Sequence, residues 1–214
     1  MYRSRVALMA VSALALTACH AHRLTESGIT RTEARAVPAF HAVKVGGAVA
    51  LSVRVVPGQA QKVSVSGDSN FLPHVHTQVQ GGVLQVDTDD GLHDIHADIQ
   101  VPALTALTLS GAVRAAVHQV AGDTFALELS GASQVTLDGG VRALSVNLSG
   151  AGTVRAFTLR AEDVTAQLSG VGHVEVFASK SLNATISGAG KVIYDGHPAK
   201  VTQALTGVGS IAAK

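Results

Sequence analysis

The chain has 214 residues, 47% of them apolar and 14% charged, with a formal net charge of +1. That is enough apolar matter for one continuous core, and it excludes a chain that is disordered throughout. Tryptophan is absent, aromatics are 3% and glycines number 22. The interior must therefore be filled by Val, Leu, Ile and Ala between glycine turns, and with no basic stripe in view no nucleic-acid partner is expected.

The first element is an export signal. Arg3 and Arg5 precede an apolar run from Val6 to Leu16 that is followed by small residues, the charged, apolar and cleavable layout of a secretory leader. That run is too short to span a bilayer as a helix. Leu16-Thr17-Ala18-Cys19 resembles a lipobox, in which cleavage falls before the cysteine and its thiol is acylated with palmitate-class chains. Cys19 is the single cysteine of the chain, so no disulfide competes for it. Residues 1–18 are read as a lipoprotein signal peptide, with an ordinary cleavage near Ala21 and an idle cysteine as the alternative. His20, rather than an aspartate, after the cysteine points to the outer membrane, on its periplasmic or its exterior face. Loss of Arg3 and Arg5 leaves 14 of the 16 basic residues against 15 acidic ones.

Residues 20–37 show no apolar periodicity and end at Val37-Pro38. The segment 19–38 is read as a lipidated N-terminus and flexible tether. From Phe40 to Val101 short alternating runs (Val43 and Val45, Val49 to Val55, Val63 and Val65, Val83 to Val86, Ile95 to Val101) are broken by Pro57-Gly58, Gly67-Asp68, Gly81-Gly82 and Asp90-Gly91. They predict strands of a less regular N-terminal β region that caps the body which follows.

That body is a repeat. One phrase recurs at Ser110-Gly111, Ser130-Gly131, Ser149-Gly150, Ser169-Gly170, Ser187-Gly188 and Thr206-Gly207, at spacings of 20, 19, 20, 18 and 19 residues. A fixed period near twenty predicts stacked coils. Before each phrase apolar residues alternate with polar or small ones, as in Phe125, Leu127 and Leu129 or Leu144, Val146 and Leu148. Five residues after each Ser or Thr stands Ala115, Val135, Val154, Val174, Val192 or Ile211. Period-two patterns on both sides of a turn predict two strands per coil. Stacking at about 4.8 Å per coil pairs each strand with its equivalents. The fold class is all-β, a parallel β-solenoid over residues 39–214. The corner glycines are expected to supply φ > 0, and the serine hydroxyls to bond along the stack or to the corner backbone. A nucleophilic role for these serines is set aside, because they repeat without a base or an orienting group.

The chain here resembles a bacterial family, the auto-transporter adhesins of the head GIN domain. The residues that carry the likeness are Phe40-His-Ala-Val-Lys-Val45, Val63-Ser-Val-Ser-Gly67-Asp68-Ser-Asn70-Phe-Leu72, Gly82-Val-Leu84, Val101-Pro102-Ala-Leu104 and the Ser-Gly coils. The resemblance spans roughly Phe40 to Ile211 and implies a β-helix-like fold and export, with no activity and no catalytic residues to carry over. Only three residues follow Ile211, so a lipid on Cys19 is expected to replace the membrane barrel of an auto-transporter.

Candidate sites are few. His74 and His76 share a strand face and His93 and His96 follow, a set that could offer imidazole ligands to zinc or copper, with solvated surface positions as the competing reading. Asp87-Thr88-Asp89-Asp90-Gly91 has the alternating carboxylates of a calcium loop without its distal glutamate, and reads as an acidic turn. A glycan-cleaving enzyme would need clustered carboxylates and aromatic subsites, whereas Asp123, Glu128, Asp138, Glu162, Asp163, Glu175 and Asp195 fall at differing repeat positions. No enzyme and no cofactor are expected. The expected function is a non-enzymatic, lipid-anchored envelope scaffold for adhesion or interaction with an envelope or surface protein. Binding of envelope glycans or small ligands, or of a metal, are the alternatives. Weak self-association through the C-terminal solenoid edge around Ser210 and Ile211 is a further expectation.

Overall fold

The computed structural model describes residues 24–214, and Cys19 and the signal segment lie outside the described residues. The strands are β1 (Thr30–Ala34), β2 (Ala42–Val45), β3 (Val49–Val55), β4 (Lys62–Asp68), β5 (Val75–Gln80), β6 (Val83–Thr88), β7 (Ile95–Val101) and β8 (Ala106–Leu109). Four long strands follow, β9 (Arg114–Leu129), β10 (Ala132–Leu148), β11 (Ala151–Leu168) and β12 (Val171–Ile186), and then β13 (Ala189–Asp195), β14 (Lys200–Leu205) and β15 (Val208–Ala213). All belong to one continuous 15-stranded sheet that winds into a parallel β-solenoid.

The expected period becomes register. Ala115, Val135, Val154, Val174, Val192 and Ile211 pair in sequence along one parallel ladder. Leu109, Leu129, Leu148, Leu168, Ile186 and Leu205 form a second ladder on the other side of each corner. Up to Ile186 and Val192 these side chains are almost wholly buried, the larger ones worth about 1.5–3 kcal/mol each, while in the last coil Leu205 is exposed and Ile211 half-buried. Three of the six corner hydroxyls bond along the stack. Ser110, Ser130 and Ser149 each donate a hydroxyl to a carbonyl of the coil below, those of Val45, Leu109 and Leu129, at 3.3, 3.4 and 3.2 Å.

The corner glycines have a different reason from the one expected. None of Gly111, Gly131, Gly150, Gly170, Gly188 and Gly207 has positive φ. A Cβ on Gly150 would instead overlap the carbonyl oxygen of Gly131, one on Gly170 that of Gly150, and one on Gly188 that of Gly170. The series begins at Gly47, whose carbonyl oxygen stands where a Cβ on Gly111 would go. Steric proximity between coils, not backbone handedness, requires glycine here. Each coil also bends a second time, near Gln119 (φ 60°), Gly122 and Gly139, where the registers of the long strands shift. The sequence pattern alone did not reveal that bend.

The N-terminal β region caps the stack, but out of chain order. β2 and β3 lie beneath β8 and β9, with Val45 beside Leu109 and Leu51 beside Ala115. β6 and β7 lie beneath β2 and β3 in turn, again parallel. The antiparallel partners β4 on β7 and β5 on β6 then close that end.

The segment read as a flexible tether is docked over most of its described part. β1 pairs antiparallel with β4, from Thr30 beside Asp68 to Ala34 beside Ser64. Its pattern was invisible because every residue of β1 is solvent-exposed: an edge strand held by backbone pairing needs no apolar alternation. Asp68 fixes the entry to it, accepting from the backbone N–H of Ser27 at 2.9 Å, Gly28 at 2.8 Å and Asn70 at 2.8 Å. The Gln61 amide then ties down the carbonyls of Val37 and Pro38 at 3.1 and 2.7 Å.

Two tests follow from this packing. Gly170→Ala should lose about 3 kcal/mol in denaturant melts, since the neighbouring backbone must move to admit one methyl, whereas outward Lys191→Ser should stay within about 0.5 kcal/mol. Equal effects at the two positions would refute the close-approach account. Asp68→Ala should speed amide exchange at Arg31 to Ala34 by about tenfold or more while leaving the solenoid core protected, which hydrogen exchange by NMR resolves.

Candidate functional site

Two surfaces of the solenoid carry distinct chemistry. The sheet face formed after each Ser-Gly corner is charged. Arg114, Gln134, Thr153, His173 and Lys191 stand in one outward row, with Arg155 beside Glu175 in the next. Along the corner edge of this face runs a groove of about 500 Å³, floored by Ala112, Ala132 and Ala151 and walled by His93 to His96 at the start of β7. Ser133, at 2% exposure the one buried polar side chain among the described residues, donates into the corner at the Gly111 carbonyl, 3.3 Å away. At the rim Asp94 holds φ 55°, a strained value for a residue with a Cβ.

The face that precedes each corner is of another kind. Ser145, Thr165, Asn183 and Thr202 line up in one outward row, and Asn147, Gln167 and Thr185 in the next. These are neutral hydrogen-bonding side chains repeated at the coil spacing of about 4.8 Å. From Ser145 and Asn147 upward the two rows form an uncharged lattice of donors and acceptors, bounded by Glu128 beneath Asn147 and by Asp163 and Lys200 in the neighbouring row, and it can contact an extended partner over several coils with little desolvation of ions.

The four histidines singled out from the sequence divide into separate small networks. His74 Nδ1 and His76 Nε2 both meet the Asp89 carboxylate, at 2.9 and 3.1 Å. His93 lies between Glu26 at 3.3 Å and Asp94 at 3.2 Å and stacks edge-on against Phe71. His96 sits on β7 at the wall of the corner groove. Among the described residues no group of three or more His, Cys, Asp or Glu is arranged to hold a metal ion. The acidic turn has a structural task here, since Asp89 is the residue that the two imidazoles fasten.

Two further imidazole–carboxylate pairs were missed from sequence. His118 Nδ1 lies 2.6 Å from Asp138, and His173 Nε2 lies 3.1 Å from Glu175. The signal was available: His118 and Asp138 are one coil of twenty residues apart, and His173 and Glu175 are two apart on one strand face. The corner groove left a signal too, in the alanine that follows the Ser-Gly pair at 112, 132 and 151.

The family model described as "Putative auto-transporter adhesin, head GIN domain" matches residues 39–198. This chain belongs to that family. Among solved structures, a "putative adhesin" of Bacteroides fragilis superposes with a TM-score of 0.72 at 20% identity, covering 88% of this chain and 99% of that one. A "putative adhesin" of Parabacteroides distasonis superposes with a TM-score of 0.56 at 19% identity, covering 88% and 98%. At such identities the likeness is one of fold. Among curated proteins none matches the chain. Membership in the head GIN family fits an adhesion-type scaffold, and the solenoid of this member presents the two outward faces described above.

The Asp89 network has a pH consequence. The hydrogen bond from His74, then that from His76, hold the Asp89 carboxyl below its ordinary 3.8 despite some desolvation. A carboxyl depressed on folding contributes stability that is present above its unfolded value and lost as pH falls through the folded one. Asp89→Asn should therefore melt below the parent protein at pH 7, and the gap should close as pH falls below about 3.8. Thermal melts across that range read the effect, and a gap independent of pH would remove the network from the acid limb.

Proposed function

We propose that this head GIN protein is an exported, non-enzymatic scaffold, anchored in the outer membrane by a lipid on Cys19, that mediates adhesion-type contacts through the neutral face of its solenoid. The observation that carries the reading is the unbroken pair of rows from Ser145 to Thr202 and from Asn147 to Thr185, one rung per coil. A repeating lattice of this kind is multivalent. Each rung contributes a weak contact, and the sum along a rigid body is strong without any deep pocket. The lipobox supports the anchor, and one acyl-bearing residue at the N-terminal end would leave the long axis of the solenoid free to reach a partner.

The test uses bacteria producing the full-length protein, scored for attachment to a layer of partner cells. Ser145→Lys combined with Asn183→Lys should cut attachment about fivefold or more without altering the melting temperature, while Arg114→Ser on the charged face should not. Cys19→Ala should move the protein out of the membrane fraction and abolish attachment. Attachment unaffected by the paired lysines would overturn the choice of face, and a membrane-bound Cys19→Ala protein would overturn the lipid anchor.

A further inference from the structure

A second groove, of about 370 Å³, opens at the second bend of the coils, away from the Ser-Gly corners. It is lined by Gly122, Gly140, Arg142, Arg160, Glu162 and Phe177, among others. Three features set it apart from the rest of the surface.

The first is its floor. Gly140 has no positive φ, and a Cβ built there would meet nothing closer than the Arg160 carbonyl oxygen at 3.7 Å, an ordinary contact. A Cβ on Gly122 would meet nothing within 4 Å. In contrast to the corner series, no neighbouring atom excludes a side chain at Gly140. What its absence leaves is open space in the groove.

The second is the state of the charges. Arg160 holds its guanidinium 4.1 Å from the centroid of the Phe177 ring, and no carboxylate among the described residues lies within ion-pair distance of it. A cation over an aromatic face is held in orientation without being neutralised. Arg142 has only a long contact, 3.9 Å, with the highly exposed Asp123. The acid that lines the groove, Glu162, is taken up by Lys180 at 2.7 Å. Two guanidinium groups therefore face the groove with donors to spare.

The third is shape. A shallow trough floored by glycine and alanine accepts a saturated ring laid along it, and the forked guanidinium donors at its side match a planar carboxylate. The Ser179 hydroxyl donates to the Ala161 carbonyl at 3.2 Å and keeps its lone pairs as a neutral acceptor on the rim.

We infer that this second-bend groove binds an acidic sugar, with the uronate carboxylate of a glycan held by Arg142 and Arg160 and the ring lying over Gly122 and Gly140. In this assignment Phe177 is a positioning residue that fixes the Arg160 guanidinium. The site stands apart from the neutral face, so failure here leaves the attachment reading intact, and the reverse also holds.

The experiment is calorimetric titration of the purified full-length protein with tetragalacturonate, a neutral galactose tetramer and inorganic phosphate as three separate probes. Tetragalacturonate should bind at least tenfold more tightly than the neutral tetramer, with affinity falling as salt rises. Arg160→Gln should weaken it about tenfold or more. Gly140→Leu should do the same by filling the trough, while the melting temperature stays unchanged, and Phe177→Leu should weaken binding less than loss of Arg160 itself. Equal affinity for the acidic and neutral tetramers, or tetragalacturonate binding that survives both Arg160→Gln and Gly140→Leu, would overturn the proposal. Phosphate binding as tightly as tetragalacturonate would reduce the groove to a general anion site and overturn its assignment to a sugar.

Discussion

The structure depends on one steric condition, that successive coils meet at the Ser-Gly corner with no side chain between them. At Gly111, Gly131, Gly150, Gly170, Gly188 and Gly207 the space a Cβ would need is filled by backbone of the coil beneath. Because the coils close up there, the flanking strands come within hydrogen-bonding distance on both sides, and the Val and Leu ladders stack in register. The corner serines then bond to carbonyls that are already within reach. An aliphatic interior without tryptophan suffices because each coil repeats the fit of the last.

The same regularity governs the outside. Outward residues alternate with core residues, so any bias in their type is copied from coil to coil into a row. The chain uses this twice, with charged and imidazole-bearing residues on the face after the corner and, above Glu128, neutral amides and hydroxyls on the face before it. Departures from regularity lie at the second bend, where registers shift and the long strands gain extra residues. It is also where Phe177 and Arg160 come together, so the irregular side of the coil is the one with room for individual chemistry.

How much of this was legible depended on whether a feature repeats. The strands, the coil length and the inward sets at Val135, Val154 and Val174 could be read because burial imposes a period on the sequence. The reason for the corner glycines could not, since positive φ and close approach both select glycine and only coordinates tell them apart. β1 escaped notice because an exposed strand held by backbone bonds and by Asp68 leaves no apolar trace. The histidines show the opposite failure: His74 and His76 were visible as a pair, but their common partner Asp89 was read only as part of a turn. The second-bend groove was hidden for a further reason, because its residues come from four successive coils whose alignment slips by register shifts that spacing alone does not disclose.

The out-of-order start of the stack bears on how the chain assembles as it emerges. β3 has β7 below it and β9 above it, so the first coil to emerge is sandwiched by two that arrive later. Once β4 to β7 have closed the lower end, the upper edge of β2 and β3 is a finished template for β8 and the start of β9, and every coil after that adds to the one made about twenty residues before it. Growth of this kind requires only short loop closures. It can keep pace with a polypeptide delivered N-terminus first, with the slow, non-local step confined to the opening hundred residues or so.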